Sequence, residues 1–142
     1  MAAKVVIVDD DPDVLELISA LLDEEGYQTI ICSDGLAALQ AINTHRPALA
    51  IIDLTMPIMT GYDLIERLRD MPGQPLPIIA ISSAMYAPSP DQLQVDAYLS
   101  KPFDLEELLA QVTYLAHRHS ESAAASIEEM TVLAPLRNSA SH

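Results

Sequence analysis

The chain has 142 residues, half of them hydrophobic, and its 21 acidic against 7 basic side chains leave a formal net charge of −14. That length suits one domain with its own core, no apolar run is long enough to cross a bilayer, and the charge disfavours both nucleic acid and acidic membrane surfaces, which are held by Lys and Arg. Cys32 is the single cysteine, so an intrachain disulfide is excluded and a thiolate zinc site is a poor fit.

From Met1-Ala2-Ala3 the chain runs directly into Val5–Val8, an apolar stretch that reads as a buried strand. It lacks the charged and apolar regions of a signal peptide, so a cytoplasmic protein is expected. The acidic run Asp9-Asp10-Asp11 follows, and Asp11-Pro12 is a helix start with Asp as N-cap and Pro in the first helical position. Val14, Leu15, Leu17, Ile18, Leu21 and Leu22 then recur at helical spacing up to a stop at Gly26. Thr29–Cys32 reads as a second strand. Asp34 caps a helix carrying Leu36, Leu39 and Ile42, closed by Pro47. Ala48–Leu54 is the third strand and Tyr62–Met71 the third helix, whose Arg67 and Arg69 are flanked by Glu66 and Asp70 and form no basic patch.

After the turn Pro72–Pro77 comes Ile78–Ile81, a fourth strand without polar alternation. Pro88 and Pro90 then exclude most of the first half of a fourth helix, leaving one turn or a little more over Asp91–Val95. Ala97–Ser100 is the fifth strand, and Asp104 caps a last helix with Leu105, Leu108, Leu109, Val112 and Leu115 on one side. Beyond Ser120 the sequence is rich in Ala and Ser. The expected organisation is therefore a domain over residues 1–120 and a flexible tail over 121–142. Apolar strands separated by helices mean a parallel sheet covered on both faces. The best fit is an α/β, flavodoxin-like, doubly wound sheet of five strands in the order 2-1-3-4-5, with a shortened or irregular fourth helix.

In that order the first strand lies beside the third. The turn residues Asp9 and Asp10 then approach Asp53, which ends the third strand, at the rim where such sheets place their ligands. Three carboxylates at one rim repel each other, and a divalent cation relieves the repulsion. An all-oxygen donor set favours Mg2+. With the metal in place Asp53 can attack a phosphoryl group as a carboxylate nucleophile. Lys101 can neutralise one phosphoryl oxygen, and the hydroxyl of Ser82 can donate to another. Asp11 reads as the helix cap and not as a ligand. His45, His117, His119 and His142 form no metal-like cluster with the acids, and Met56, Met59 and Met71 read as loop and core packing.

Val-Asp-Asp at 8–10, Asp-x-x-Met-Pro-x-x-x-Gly at 53–61, Ser-Ser-Ala at 82–84 and Lys-Pro-Phe at 101–103 together resemble the response-regulator receiver domain over roughly residues 4–118. The resemblance implies that Asp53 is the phosphorylation site, charged by a sensor histidine kinase or a phosphotransfer protein. It implies a Mg2+ site formed by Asp10, Asp53 and the Thr55 carbonyl, with Asp9 acting mainly through water. Lys101 would contact the phosphate across a cis Lys101–Pro102 bond. Ser82 and Tyr98 would be the switch pair, a hydroxyl that moves to the phosphate and an aromatic that follows it inward. The product would be a single-domain signalling protein that controls an unknown downstream protein target, with a homodimer among the assemblies allowed and no DNA-binding output. It would be no ordinary enzyme, since it would catalyse only its own phosphorylation and dephosphorylation.

Other classes fit less well. A phosphatase of the haloacid-dehalogenase type needs a second Asp two residues after its nucleophile, where this chain has Thr55. A flavodoxin needs a phosphate loop rich in Gly and hydroxyls after the first strand, where this chain has three acids. A receiver-like domain that only binds a partner would not need the acid pair, Asp53 and Lys101 together.

Overall fold

The computed structural model describes residues 2–73, 75–83 and 90–117. Strands β1 (Lys4–Val8), β2 (Gln28–Cys32), β3 (Leu49–Asp53), β4 (Ile78–Ser82) and β5 (Ala97–Ser100) alternate with helices α1 (Pro12–Glu24), α2 (Gly35–His45), α3 (Gly61–Arg69) and α4 (Pro90–Leu93). A last helix, α5, covers residues 105–117. All neighbouring strands are parallel, and their order is β2-β1-β3-β4-β5, as the sequence pattern predicts. The lack of alternation has its reason here: every residue of β3 and β4 is buried, because helices cover both faces.

Successive strand residues still point to opposite faces, and this divides the core in two. Val6, Val8, Ala50 and Ile52 pack with Ala38, Ile42, Leu64 and Leu68 of α2 and α3. Val5, Ile7, Leu49 and Ile51 pack on the other side with Leu15, Ile18 and Leu22 of α1 and with Leu108, Val112 and Leu115 of α5.

The helix starts follow the residues expected to set them. Asp11 accepts from the Asp13 amide at 2.9 Å with Pro12 opening α1, and Asp34 accepts from the Ala37 amide at 2.8 Å. Asp104 accepts from the Glu106 amide at 2.9 Å at the start of α5. Thr60 and Asp63 form a reciprocal capping box on α3, with bonds of 3.1 and 3.3 Å. Because only its cap is lost, Asp11→Ala is expected to cost about 1 kcal/mol in urea unfolding. An unchanged midpoint would mean that Asp11 is not used as a cap.

Strand bounds agree with the sequence reading to within a residue at each end. Helix α3 stops two residues before the expected Met71, because the Asp70 amide closes the last turn on Glu66 and Leu68 oxygens. The turn beyond it uses Gly73 at φ 107°. Helix α4 has four residues over the described range and begins at Pro90. The part of the expected irregular fourth helix that would involve Pro88 lies outside the described residues, as does the whole of the expected tail over 121–142.

The α4–β5 connection is fastened to the rest by main-chain partners. The Ile78 amide donates to Asp96 Oδ2 at 2.9 Å. Arg69 of α3 donates through Nε and Nη2 to the Gln94 carbonyl at 2.9 and 2.6 Å, and through Nη1 to the Leu76 carbonyl at 3.0 Å. Among the described residues no helix is long and apolar enough to cross a membrane.

Candidate functional site

Four strand ends build one rim. Parallel pairing sets Val8 beside Ile52 and Asp53 beside Ile81, and Ser82 beside Ser100. Backbone bonds carry the ladders past the strands: Leu54 N donates to Ile81 O at 2.8 Å, and Lys101 N to Ser82 O at 2.7 Å. Residues far apart in sequence are thereby fixed side by side. Asp9 follows β1, Asp53 ends β3, Ser82 ends β4 and Lys101 follows β5.

Among the described residues, Asp9, Asp53 and Ser82 are the buried polar ones. Asp10 is exposed at the mouth. Carboxylate oxygens from Asp9, Asp10 and Asp53 lie within 4.8 Å of one another. This is a set of hard oxygen donors that fits Mg2+, and the Thr55 carbonyl belongs to the loop leaving β3. Asp9 and Asp53 each also accept a local amide: Asp9 Oδ1 from Asp11 N at 2.9 Å, and Asp53 Oδ1 from Thr55 N at 3.2 Å.

Lys101 balances the acids. Its Nζ donates to Asp9 Oδ2 at 2.9 Å and stands 3.7 Å from Asp53 Oδ2. Burial pushes the Asp53 carboxyl up to about 6. The Thr55 amide and Lys101 oppose this, while Asp9 and Asp10 add to it. Burial pulls the Lys101 ammonium down, but the bond to Asp9 and the charges of Asp9, Asp53 and Asp11 outweigh it and raise its pKa. The Asp53 charge is therefore harder to keep than that of a carboxylate in water.

Asp9, Asp10, Asp53, Thr55, Ser82 and Lys101 stand at this end of the sheet, whereas Tyr98 lies inside β5, beside Ala80 of β4. The Lys101–Pro102 bond is cis. Tyr98 is partly buried against the α2–α3 half of the core, and its hydroxyl is buried without a hydrogen-bond partner among the described residues. The direct Asp9–Lys101 bond was not legible in the sequence, where Asp9 reads as a water-mediated ligand and Lys101 as a phosphate contact. Nor was the demand on Gly61, where a Cβ would overlap the Asp53 carbonyl oxygen. The signal for it was present, since Gly61 closes the Asp-x-x-Met-Pro-x-x-x-Gly stretch.

Comparison with known proteins points the same way. Residues 5–113 match the family model of the response regulator receiver domain. The DNA-binding response regulator MtrA of Mycolicibacterium smegmatis is 33% identical over 87% of this chain, and the transcriptional regulatory protein KdpE of Mycobacterium tuberculosis is 34% identical over 90%. The alignments cover 55% and 56% of those proteins, so the chain spans about half the length of the curated relatives it matches. Among solved structures, the receiver domain of the Francisella response regulator 1452 superimposes with a TM-score of 0.73 at 31% identity, over 82% of this chain and 98% of that one. The chemotaxis response regulator CheY4 of Vibrio cholerae gives 0.69 at 28% identity, over 81% and 99%. With most of its length matched, and with its sheet order the one predicted, the chain belongs to the response regulator receiver domain family.

Proposed function

We propose that this domain accepts a phosphoryl group on Asp53 from a sensor histidine kinase or a phosphotransfer protein, and that the resulting change of conformation controls a downstream protein. The observation that carries the reading is Lys101 Nζ, poised 2.9 Å from Asp9 and 3.7 Å from Asp53 above a cluster of three carboxylates. That placement brings a cation to the point where a phosphoryl oxygen would arrive.

Asp9, Asp10, Asp53 and the Thr55 carbonyl would hold Mg2+. When bound, the ion neutralises the acids and draws charge from the phosphoryl oxygens. The chain's own groups do the rest. The Thr55 amide holds Asp53 Oδ1 in place and leaves Oδ2 turned toward Lys101. Oδ2 attacks phosphorus, the bond from phosphorus to the donor's imidazole nitrogen breaks, and that nitrogen keeps the electron pair. Lys101 moves from Asp9 toward the new anion, and Ser82 at the end of β4 donates to a second oxygen. Tyr98, whose hydroxyl has no partner among the described residues, is the aromatic whose position follows that of Ser82. The same site catalyses the return step, in which water releases the phosphate.

The charge of −14 disfavours nucleic acid and leaves a protein as the immediate partner; a cytoplasmic setting and a homodimer as one assembly belong to the same proposal. The DNA binding in the name of MtrA belongs to a protein nearly twice the matched length.

Incubation with acetyl phosphate and Mg2+ is expected to add one phosphate mass to the parent and none to Asp53→Ala, with EDTA preventing the gain. In parallel, Mg2+ is expected to raise the melting temperature of the parent by mass action, a rise that Asp10→Ala loses and Asp11→Ala keeps. Labelling of Asp53→Ala at the parental level would overturn the assignment.

A further inference from the structure

The loop from β3 to α3 contains a backbone conformation that phosphoryl transfer does not by itself explain. Ile58 has φ 68° with its side chain fully exposed. A β-branched residue is disfavoured in the left-handed region, and a side chain in water gains no packing to offset the cost. Such strain persists only where the surroundings fix the backbone on both sides. On one side stand the buried Met56 and the fixed φ of Pro57. The other side is Met59.

Met59 lies on the bare Cα of Gly35, the buried first residue of α2. A Cβ at position 35 would stand 2.6 Å from Met59 Sδ, 2.8 Å from Cγ and 3.0 Å from Cβ. Gly35 is not among the residues of positive φ, so what matters there is the missing methyl and not conformational freedom. Sδ and Cγ could swing away, but the Met59 Cβ is tied to the loop backbone. Helix α2 is itself a firm seat, since the Asp34 cap holds its first turn and Ala38 and Ile42 are in the core.

We infer that Gly35 is a positioning residue for the phosphoacceptor loop: by seating Met59 it holds Ile58 in its left-handed conformation and fixes residues 54–60, including the Thr55 amide on Asp53. What the loop is for rests on the function proposed above; the seat itself does not. The design places a site determinant on a helix that contributes no side chain to the acidic cluster.

Gly35→Ala, Met59→Ala and the double variant test it, each followed by amide exchange, Mg2+ affinity and the rate of labelling by acetyl phosphate. Gly35→Ala is expected to speed exchange at residues 58–60 about tenfold while β1 and β3 keep parental rates. Mg2+ affinity and labelling rate are expected to fall about tenfold, the scale of supporting contacts around metal sites. The double variant removes the two closest overlaps and is expected to recover most of the loss, a non-additivity that a general loss of stability would not produce. Met59→Ala alone is expected to free residue 58 and leave α2 protected, which carries the same test if Gly35→Ala does not fold.

Parental exchange at 58–60 in Gly35→Ala, or a double variant worse than either single one, overturns the inference. A parent that Mg2+ and acetyl phosphate cannot label would remove the phosphoacceptor reading, and the exchange rates would still decide whether Gly35 seats the loop.

Discussion

Replacing Asp53 by Asn is expected to stabilise the metal-free domain at pH 7.5 by about 3 kcal/mol, even though it removes the residue on which the proposed function depends. The carboxyl is pushed up to about 6, chiefly by burial, against about 3.9 in an unfolded chain. Between those two values the folded state binds a proton that the unfolded state does not. Stability therefore falls as pH rises from about 4 to about 6, and the loss is complete above that window. An amide of the same shape never carries the charge and can still accept from the Thr55 amide. Urea unfolding without Mg2+ at pH 4 and pH 7.5 reads the effect as a difference between parent and Asp53→Asn, large at the higher pH and small at the lower. Added Mg2+ is expected to close the gap by stabilising the parent alone. Equal stabilities at pH 7.5 would show that Asp53 ionises without penalty.

Gly61→Ala is expected to cost about 3 kcal/mol, near the upper end for forcing extra volume into a packed site, and to weaken Mg2+ binding as well. The added Cβ would overlap the Asp53 carbonyl oxygen and crowd the Leu54 Cα, both main-chain atoms where β3 ends and the loop begins. Neither can rotate out of the way, unlike Met59 above Gly35. Helix α3 must then retreat, and with it the Gly61 amide that donates to the Leu54 carbonyl at 3.1 Å. Thermal melts and Mg2+ titrations on this variant and on Thr60→Ala separate the two contributions. The Thr60 variant loses only a cap, about 1 kcal/mol, and keeps its Mg2+ affinity. A Gly61→Ala protein as stable as Thr60→Ala would mean that α3 has room to shift.

What the sequence made legible was local or periodic. Apolar runs such as Ile51-Ile52 and Ile78–Ile81 announced strands buried on both faces, and Asp11, Asp34 and Asp104 announced helix starts. Together with the family resemblance, these placed Asp9, Asp10, Asp53, Ser82 and Lys101 at one rim. What stayed hidden depends on contacts between distant residues. Asp9 and Lys101 are 92 positions apart, and nothing local to either shows that one takes the other as its partner. The approach of Met59 to Gly35 joins a loop to the start of a helix through a missing methyl, which leaves no pattern. The end of α3 escaped because Asp70 and Met71 are both tolerable in a helix, and the closing bonds of the last turn decided the matter.

Arg69 also read differently in the sequence, as one of a pair of cations neutralised by adjacent acids. Its guanidinium instead grips the carbonyls of Gln94 and Leu76. Because every residue type supplies the same carbonyl, the clasp is blind to the side chains at 76 and 94. The segment leading into β5 can change its composition and still be held to α3 at the same point. The planar five-donor fork of arginine is what spans two carbonyls at once, and a lysine at that position would offer only a single point charge. The clasp itself thus depends on residue identity only on the arginine side; position 94 is limited instead by its own left-handed backbone, φ 60°, and position 76 by its packing against the core.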